Sequence, residues 1–195
     1  MTVARPVPSV GTVVLGHGAG GGIGAPDLAL LAETLPALGY DVVLVEQPWR
    51  VAGRKIAGPP PTLDLAWVAV LGDLDRTGPL IVGGRSAGAR VACRTAYDTG
   101  AAGVLALSFP LHPPGRPEKS RAEELRAPGR RGIPIRVVQG ERDPWGSPAA
   151  VGAELDHPEW VASVAGAHSF TRQPRDVADA VARLLPELIG GAPGN

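Results

Sequence analysis

Short apolar runs rich in valine, leucine and isoleucine alternate along the chain with segments in which apolar residues recur every three or four positions. The short runs are typical of parallel strands buried on both faces, and the longer spacing is typical of amphipathic helices. Six runs predict strands: Thr12 to Gly16, Asp41 to Glu46, Leu80 to Gly83, Val104 to Ser108, Ile133 to Gln139 and Trp160 to Val164.

Three segments have helical spacing, with apolar residues at Leu28, Leu31, Leu35 and Leu38, at Leu65, Val68, Leu71 and Leu74, and at Val177, Val181, Leu184 and Leu188. The alternation predicts an α/β fold: an open, doubly wound, mostly parallel sheet of about six strands with helices on both faces. The length fits a single domain, 1–195. The irregular stretches Val51 to Pro61 and Pro113 to Gly132 predict no substantial lid, although the second has room for one short helix at Glu118 to Leu125.

Ligands of such sheets bind beyond the carboxyl ends of the strands, so the loops there are the place to look for chemistry. The third predicted strand runs into Gly84-Arg85-Ser86-Ala87-Gly88, which fits the pattern G-x-S-x-G of a nucleophile elbow. The pattern alone is a weak signal in a chain with 27 glycines. Here, however, it follows a strand and opens a helical segment, Ala87 to Tyr97, which is the setting that the elbow requires. We therefore predict that Ser86 is a nucleophile.

A serine hydroxyl needs a base within hydrogen-bond reach, and the base needs a group that fixes its tautomer. His168 and Asp143 each follow one of the last two predicted strands, and Ser86, Asp143, His168 is one of the known chain orders of a serine triad. Glu141 is the alternative acid, two residues nearer the strand. We expect the backbone N–H groups of Ala19 and Ala87 to hold the oxyanion.

Aromatic and imidazole side chains near these loops are candidates for the substrate pocket: His17, Trp49, Phe109 and Trp145. Core packing is an equally good interpretation of the aromatic residues, and His17 is expected to shape its own loop by hydrogen bonding. The other two histidines and the single cysteine are expected to be structural: His112, His157 and Cys93. One cysteine excludes an intrachain disulfide and a cysteine-built zinc site, and no metal or organic cofactor is predicted.

The first loop also has a competing interpretation as a dinucleotide site. The run from Gly16 to Gly21 matches G-x-G-x-x-G after a strand, and Glu46 ends the next strand. A pyrophosphate, however, needs a helix that begins at the glycines, and the expected helix start is Pro26-Asp27. This hypothesis also leaves the three predicted triad residues unexplained.

The charge pattern limits the partners. The formal net charge is zero, and the basic cluster Arg126 to Arg131 is interrupted by proline and glycine, which predicts a solvated loop and neither nucleic-acid binding nor a polybasic anchor. No stretch approaches the roughly 20 apolar residues of a membrane span, and Met1 to Pro8 contains no apolar run of signal-peptide length. We expect a cytoplasmic protein that acts on a small acyl substrate; the sequence predicts no oligomeric state.

Six segments also carry a family resemblance: Gly16-His17-Gly18-Ala19-Gly20, Glu46-Gln47-Pro48-Trp49-Arg50-Val51-Ala52-Gly53, Gly83-Gly84-Arg85-Ser86-Ala87-Gly88, Phe109-Pro110-Leu111-His112-Pro113-Pro114-Gly115, Gln139-Gly140-Glu141-Arg142-Asp143 and Gly166-Ala167-His168-Ser169-Phe170. On these segments the chain resembles small alpha/beta hydrolases related to dienelactone hydrolases, above all a compact bacterial subfamily with eukaryotic relatives that include a subunit of a histone acetyltransferase complex. It departs from dienelactone hydrolases by having Ser86 where they have cysteine, and from many relatives by having Ala167 where they have aspartate.

The resemblance implies the triad, the two loop donors and an esterase-like activity. Together with the motif it predicts a serine hydrolase that cleaves a carboxylic ester or thioester of a small acyl substrate through an acyl-enzyme. The alternative is a hydrolase fold retained as a binding or scaffold module with little turnover, because a fold does not determine a function.

Overall fold

The computed structural model describes residues 9–172 and 174–190. The strands are β1 (Gly11–Gly16), β2 (Tyr40–Val45), β3 (Leu80–Arg85), β4 (Gly103–Leu107), β5 (Ile135–Gly140) and β6 (Val161–Val164). The α-helices are α1 (Pro26–Thr34), α2 (Pro48–Val51), α3 (Pro60–Gly72), α4 (Ala87–Thr95), α5 (Ala122–Arg126), α6 (Pro148–Gly152) and α7 (Pro174–Ile189). Short 3₁₀ turns are formed by Leu35–Leu38, Pro117–Lys119, Gly129–Arg131 and Pro158–Trp160.

The six strands form one parallel sheet in the order β2-β1-β3-β4-β5-β6. The chain moves from β1 outward to β2 and then returns to the other side of β1, so the strand order reverses between β1 and β3. Ligand sites of open α/β sheets lie at such a reversal. Gly16 pairs with Gly84 there, which brings the end of β1 beside the serine loop. The open parallel sheet predicted from the sequence is confirmed.

Both faces of the sheet are covered. On one face Val14, Val82 and Val104 pack with residues of α3, α4 and α5. On the other face Val13 and Leu105 pack with residues of α1 and α7. Adjacent strand residues point to opposite faces, and both faces are covered, so every position of the four inner strands is buried, while β2 and β6 at the edges are partly exposed. This accounts for the continuous apolar runs in the sequence.

The predicted face of α3 is confirmed at Leu71 and wrong at Leu65. Leu63, Trp67 and Leu71 are buried, whereas Leu65, assigned to the buried stripe, is 74% exposed. This helix has apolar residues on most sides, so spacing alone does not determine which side faces the sheet. The large ring of Trp67 removes more apolar area from water than a leucine does, and its burial decides the orientation.

The irregular stretches form no large cap over the sheet. In the described part of the chain, the segment between β4 and β5 carries only α5 and two 3₁₀ turns, as expected of a fold without a substantial lid. The described helices also include none with the length and apolar character that a membrane span requires.

Candidate active site

The serine loop is a tight turn between β3 and α4. Ser86 has φ 53° and ψ −105°, a backbone conformation that residues other than glycine rarely adopt. Its N–H donates to the Leu107 carbonyl at 2.9 Å. A Cβ atom on either Gly84 or Gly88 would lie 2.2 Å from the Gly16 oxygen, so glycine is required at both positions. The chain turns sharply and presents Ser86 at the carboxyl end of the sheet.

Backbone strain is concentrated at this edge of the molecule. Among the described residues, the non-glycine residues with positive φ are Ser86, Ser108 and Phe170. Ser86 follows β3, Ser108 follows β4, and Phe170 lies two residues after His168. Strained backbone of this kind is maintained by its surroundings and is frequent at functional sites.

The structure brings the three predicted triad side chains together. The Ser86 Oγ atom lies 2.9 Å from His168 Nε2. His168 Nδ1 lies 2.8 Å and 3.0 Å from the two carboxylate oxygens of Asp143. When Nδ1 carries the proton, its N–H group donates to the carboxylate, and Nε2 is free to accept the serine proton. The Asp143 side chain is fully buried, and that of His168 is 23% exposed.

The loops that carry Asp143 and His168 are hydrogen-bonded to each other. The Arg142 N–H donates to the Gly166 carbonyl at 2.9 Å. A Cβ on Gly140 would lie 2.8 Å from the Ala167 oxygen, so the loop after β5 needs glycine at this point. Glu141, the alternative acid, is exposed, and the carboxylate that contacts His168 is that of Asp143.

Gln139, which is not among the predicted site residues, hydrogen-bonds the carboxylate that contacts His168. Its Nε2 donates to Asp143 Oδ2 and to the Gly146 carbonyl, both at 2.9 Å, and lies 3.2 Å from the Phe109 carbonyl. Its Oε1 accepts from the Phe109 N–H at 2.9 Å. The other Asp143 oxygen accepts from the Trp145 N–H at 2.9 Å. The sequence contains a signal, because an amide at the end of an apolar strand has to be hydrogen-bonded when it is buried.

Arg85 links three parts of the site and was also not predicted. Its Nη1 donates to the Ser169 carbonyl at 2.8 Å, next to His168, and lies 3.5 Å from Asp27 Oδ1 in the first turn of α1. The Asp27 side chain is fully buried. Burial raises the pKa of Asp27, and the Arg85 charge opposes that rise. A buried ion pair therefore connects the serine loop, α1 and the histidine loop.

A cleft of about 220 Å³ opens beside Ser86. Ala19 and Ala87, whose N–H groups are the predicted oxyanion donors, line it at the serine. Trp145 also lines the cleft, and its ring stacks on His168 with the centroids 5.4 Å apart. The volume suits a short substrate, since drug-sized ligands occupy pockets of roughly 300 Å³ and more.

The prediction that three other residues line the pocket is corrected by their burial. Trp49 is 3% exposed and Phe109 is fully buried, and both belong to the hydrophobic core. His17 is fully buried beneath the first loop. Its Nδ1 donates to the Gly18 carbonyl at 2.9 Å, and its Nε2 accepts from the Gln47 N–H at 3.0 Å. These side chains turn inward, away from the cleft, and His17 supports the loop from below.

The remaining candidates do not contact the triad. Cys93 is buried in α4, and burial raises the pKa of its thiol, which disfavours the reactive thiolate. His112 Nδ1 donates to the Pro113 carbonyl, and His157 pairs with Glu159 at the surface.

The geometry of a dinucleotide site is not present. Helix α1 begins at Pro26, beyond the glycines of the first loop, so its N-terminus does not face a pyrophosphate held by them. Glu46, which would bind a ribose, lies 2.6 Å from His17 Nε2 instead.

Comparison with known proteins identifies a matching family and several structures with a similar fold. A family model described as an alpha/beta hydrolase domain matches residues 9–184. A serine hydrolase without a lid from Xanthomonas campestris has 20% sequence identity and a TM-score of 0.62, covering 99% of this chain and 88% of that one. A serine hydrolase homologue from Coxiella burnetii has 20% identity and a TM-score of 0.69, covering 94% and 89%.

Est1E from Butyrivibrio proteoclasticus has 14% identity and a TM-score of 0.68, covering 93% of this chain and 89% of that one. Sequence identities this low carry the fold and nothing further. Among curated proteins, none matches this chain.

Proposed function

Because this chain belongs to the alpha/beta hydrolase domain family, we propose that it is a serine hydrolase that cleaves the carboxylic ester or thioester of a small acyl substrate. The observation that carries the proposal is the continuous hydrogen-bonded series from Ser86 Oγ through His168 to the buried Asp143 carboxylate. Each member has the partner that acyl transfer requires of it.

The first half of the reaction forms an acyl-enzyme. Ser86 Oγ attacks the carbonyl carbon while His168 Nε2 takes the hydroxyl proton, and the carbonyl electrons move onto oxygen. The N–H groups of Ala19 and Ala87 stabilise that oxyanion at the serine end of the cleft. When the tetrahedral intermediate collapses, the bond to the leaving group breaks, and His168 gives its proton to the departing alcohol or thiol.

The second half repeats these steps with water. His168 takes a proton from the water molecule as its oxygen attacks the acyl carbon, and the proton then returns to Ser86 Oγ as the acid leaves. The buried Asp143 carboxylate keeps the Nδ1 proton of His168 in place and stabilises the imidazolium that forms in each half. Because Gln139 and the Trp145 N–H already satisfy Asp143, its carboxylate does not have to reorganise during the reaction.

Hydrolysis of 4-nitrophenyl butyrate tests the proposal. We expect Ser86→Ala to lower kcat by about 10³-fold or more with an unchanged circular-dichroism spectrum. Ser163→Ala is the matched control, because Ser163 is exposed on β6 away from the cleft, and it should retain full activity. Undiminished turnover by Ser86→Ala would refute the assignment, and no turnover by folded wild type would favour a binding or scaffold module.

A further inference from the structure

Arginine side chains are concentrated in the cleft beside the nucleophile. Arg90 and Arg94 on α4 and Arg121 just before α5 line it together with Ser86, and the rest of the wall consists mainly of alanine, glycine, proline and leucine. In a cleft this small, three guanidinium groups largely decide which substrates are accepted. Their partners show which of them is available to a substrate.

Two of the three guanidinium groups are paired with carboxylates of the protein. Arg90 donates from Nε and Nη2 to Glu124 at 2.7 Å and 2.6 Å. Arg94 donates to Asp64 at 2.9 Å and 2.6 Å, and to Glu124 at 2.7 Å. Two cations and two anions therefore balance, and bidentate pairs of this kind hold their geometry firmly.

Arg121 is the cation left over. Within residues 9–172 and 174–190, no carboxylate forms an ion pair with it. Its Nη1 donates to the Pro110 carbonyl at 2.9 Å, and its guanidinium lies over the Trp145 ring at 5.5 Å from the centroid. Burial lowers the pKa of Arg121, and the neighbouring Arg90 lowers it further against the opposing effect of Glu124. The cleft thus holds one positive charge more than its carboxylates balance, and a substrate anion would stabilise that charge.

The position of Arg121 relates it to the reacting atoms. Trp145 contacts the guanidinium and also stacks on the His168 ring, so a single side chain lies between Arg121 and the catalytic histidine. A guanidinium presents five N–H donors in a planar fork that matches a carboxylate. We propose that the acyl part of the substrate carries a carboxylate. Arg121 binds this carboxylate while Ser86 attacks the ester carbonyl at the other end of the acyl group. The inference rests on the proposed function.

Two activated esters of equal chain length test the proposal: 4-nitrophenyl hexanoate and the 4-nitrophenyl monoester of adipic acid, each corrected for spontaneous hydrolysis. We expect wild type to prefer the adipate ester. Arg121→Gln should lower kcat/KM for the adipate ester by roughly 10- to 100-fold, mainly through KM, and leave the hexanoate little changed. For the adipate ester, Arg121→Lys should have a kcat/KM between those of wild type and Arg121→Gln, because lysine keeps the charge and loses the planar fork of donors. Arg116→Gln, an exposed arginine of the same segment, is the control and should leave the ratio of the two substrates unchanged.

The outcomes separate this inference from the proposed function. If both esters are hydrolysed through Ser86 and Arg121→Gln leaves their ratio unchanged, the carboxylate site is refuted while the hydrolase stands. If neither ester is hydrolysed, binding is measured by calorimetry in place of the hydrolysis rate. The ligands are monomethyl adipate and methyl hexanoate, and the proteins are wild type and Arg121→Gln. Tighter binding of the anion that is lost in Arg121→Gln would support the site, and equal binding of the two esters would overturn it.

Discussion

Removal of Arg85 tests whether the ion pair beneath the serine loop stabilises the site. The Arg85 side chain is 11% exposed and that of Asp27 is fully buried, with 3.5 Å between Nη1 and Oδ1. Arg85→Met keeps most of the side-chain volume and leaves a buried carboxylate without its cation. We expect the free energy of unfolding to fall by about 3–5 kcal/mol at neutral pH. The lost hydrogen bond to Ser169 accounts for roughly 1.5 kcal/mol of this.

The loss should depend on pH through Asp27. Burial raises the pKa of Asp27 above its ordinary value of 3.8, and the Arg85 charge opposes the rise. A carboxyl group whose pKa is raised on folding stabilises the folded state fully below its unfolded pKa, and this contribution is lost as pH rises through the folded pKa. Without Arg85 the folded pKa rises further. The variant should therefore come closer to wild type in acid and fall further below it toward neutral pH.

Urea unfolding followed by tryptophan fluorescence, at about pH 5 and about pH 8, measures this effect for wild type, Arg85→Met, Asp27→Asn and the double variant. We expect a larger loss for Arg85→Met at the higher pH. The double variant should lose less than the sum of the single variants, because it buries no unpaired charge. An equal loss at both pH values, together with additive single variants, would show that the pair does not stabilise the fold.

Two further predictions concern carboxylates that have matched neighbours. Asp143→Asn should lower kcat for an ester by about 10⁴-fold, because the amide no longer holds the Nδ1 proton of His168, whereas Glu141→Gln should leave the rate unchanged. Burial raises the pKa of Glu124, but the guanidiniums on α4 outweigh it and hold the pKa below its ordinary value. Its contribution to stability is therefore present above the unfolded pKa and lost as pH falls through the folded pKa. Glu124→Gln should cost about 2 kcal/mol near neutral pH by urea unfolding, and the exposed Glu123→Gln should change stability little. Equal effects within either pair would contradict these assignments.

Much of this architecture can be read from local sequence because parallel strands buried on both faces leave continuous apolar runs. The positions of Ser86, Asp143 and His168 follow from the same fact, since each comes soon after a strand and parallel strands end at one edge of the sheet. Chain order and turn residues then indicate the role of each side chain. The elbow glycines add the condition that Gly16 and Gly84 stand side by side, which the register of β1 and β3 provides.

The direction in which a side chain points, and the partner with which it pairs, are harder to predict from sequence. Trp49 and Phe109 follow strands just as Trp145 does, yet they turn into the core, and only the three-dimensional packing distinguishes them. The contact of Arg85 with Asp27 joins segments that are far apart in the chain, and that of Gln139 with Asp143 depends on the turn after β5, so neither leaves a periodic signal. The unpaired charge of Arg121 emerges only when the partners of all the cleft arginines are known.

Intact-mass spectrometry after treatment with a fluorophosphonate, followed by peptide mapping, tests the central claim most directly, because this reagent modifies an activated serine. The account predicts a single adduct on Ser86 in wild type, no adduct on Ser86→Ala, and an unchanged adduct on Ser163→Ala. It also predicts much slower labelling of His168→Gln, which lacks the base. Absence of an adduct on folded wild type, or an adduct that persists in Ser86→Ala, would contradict it.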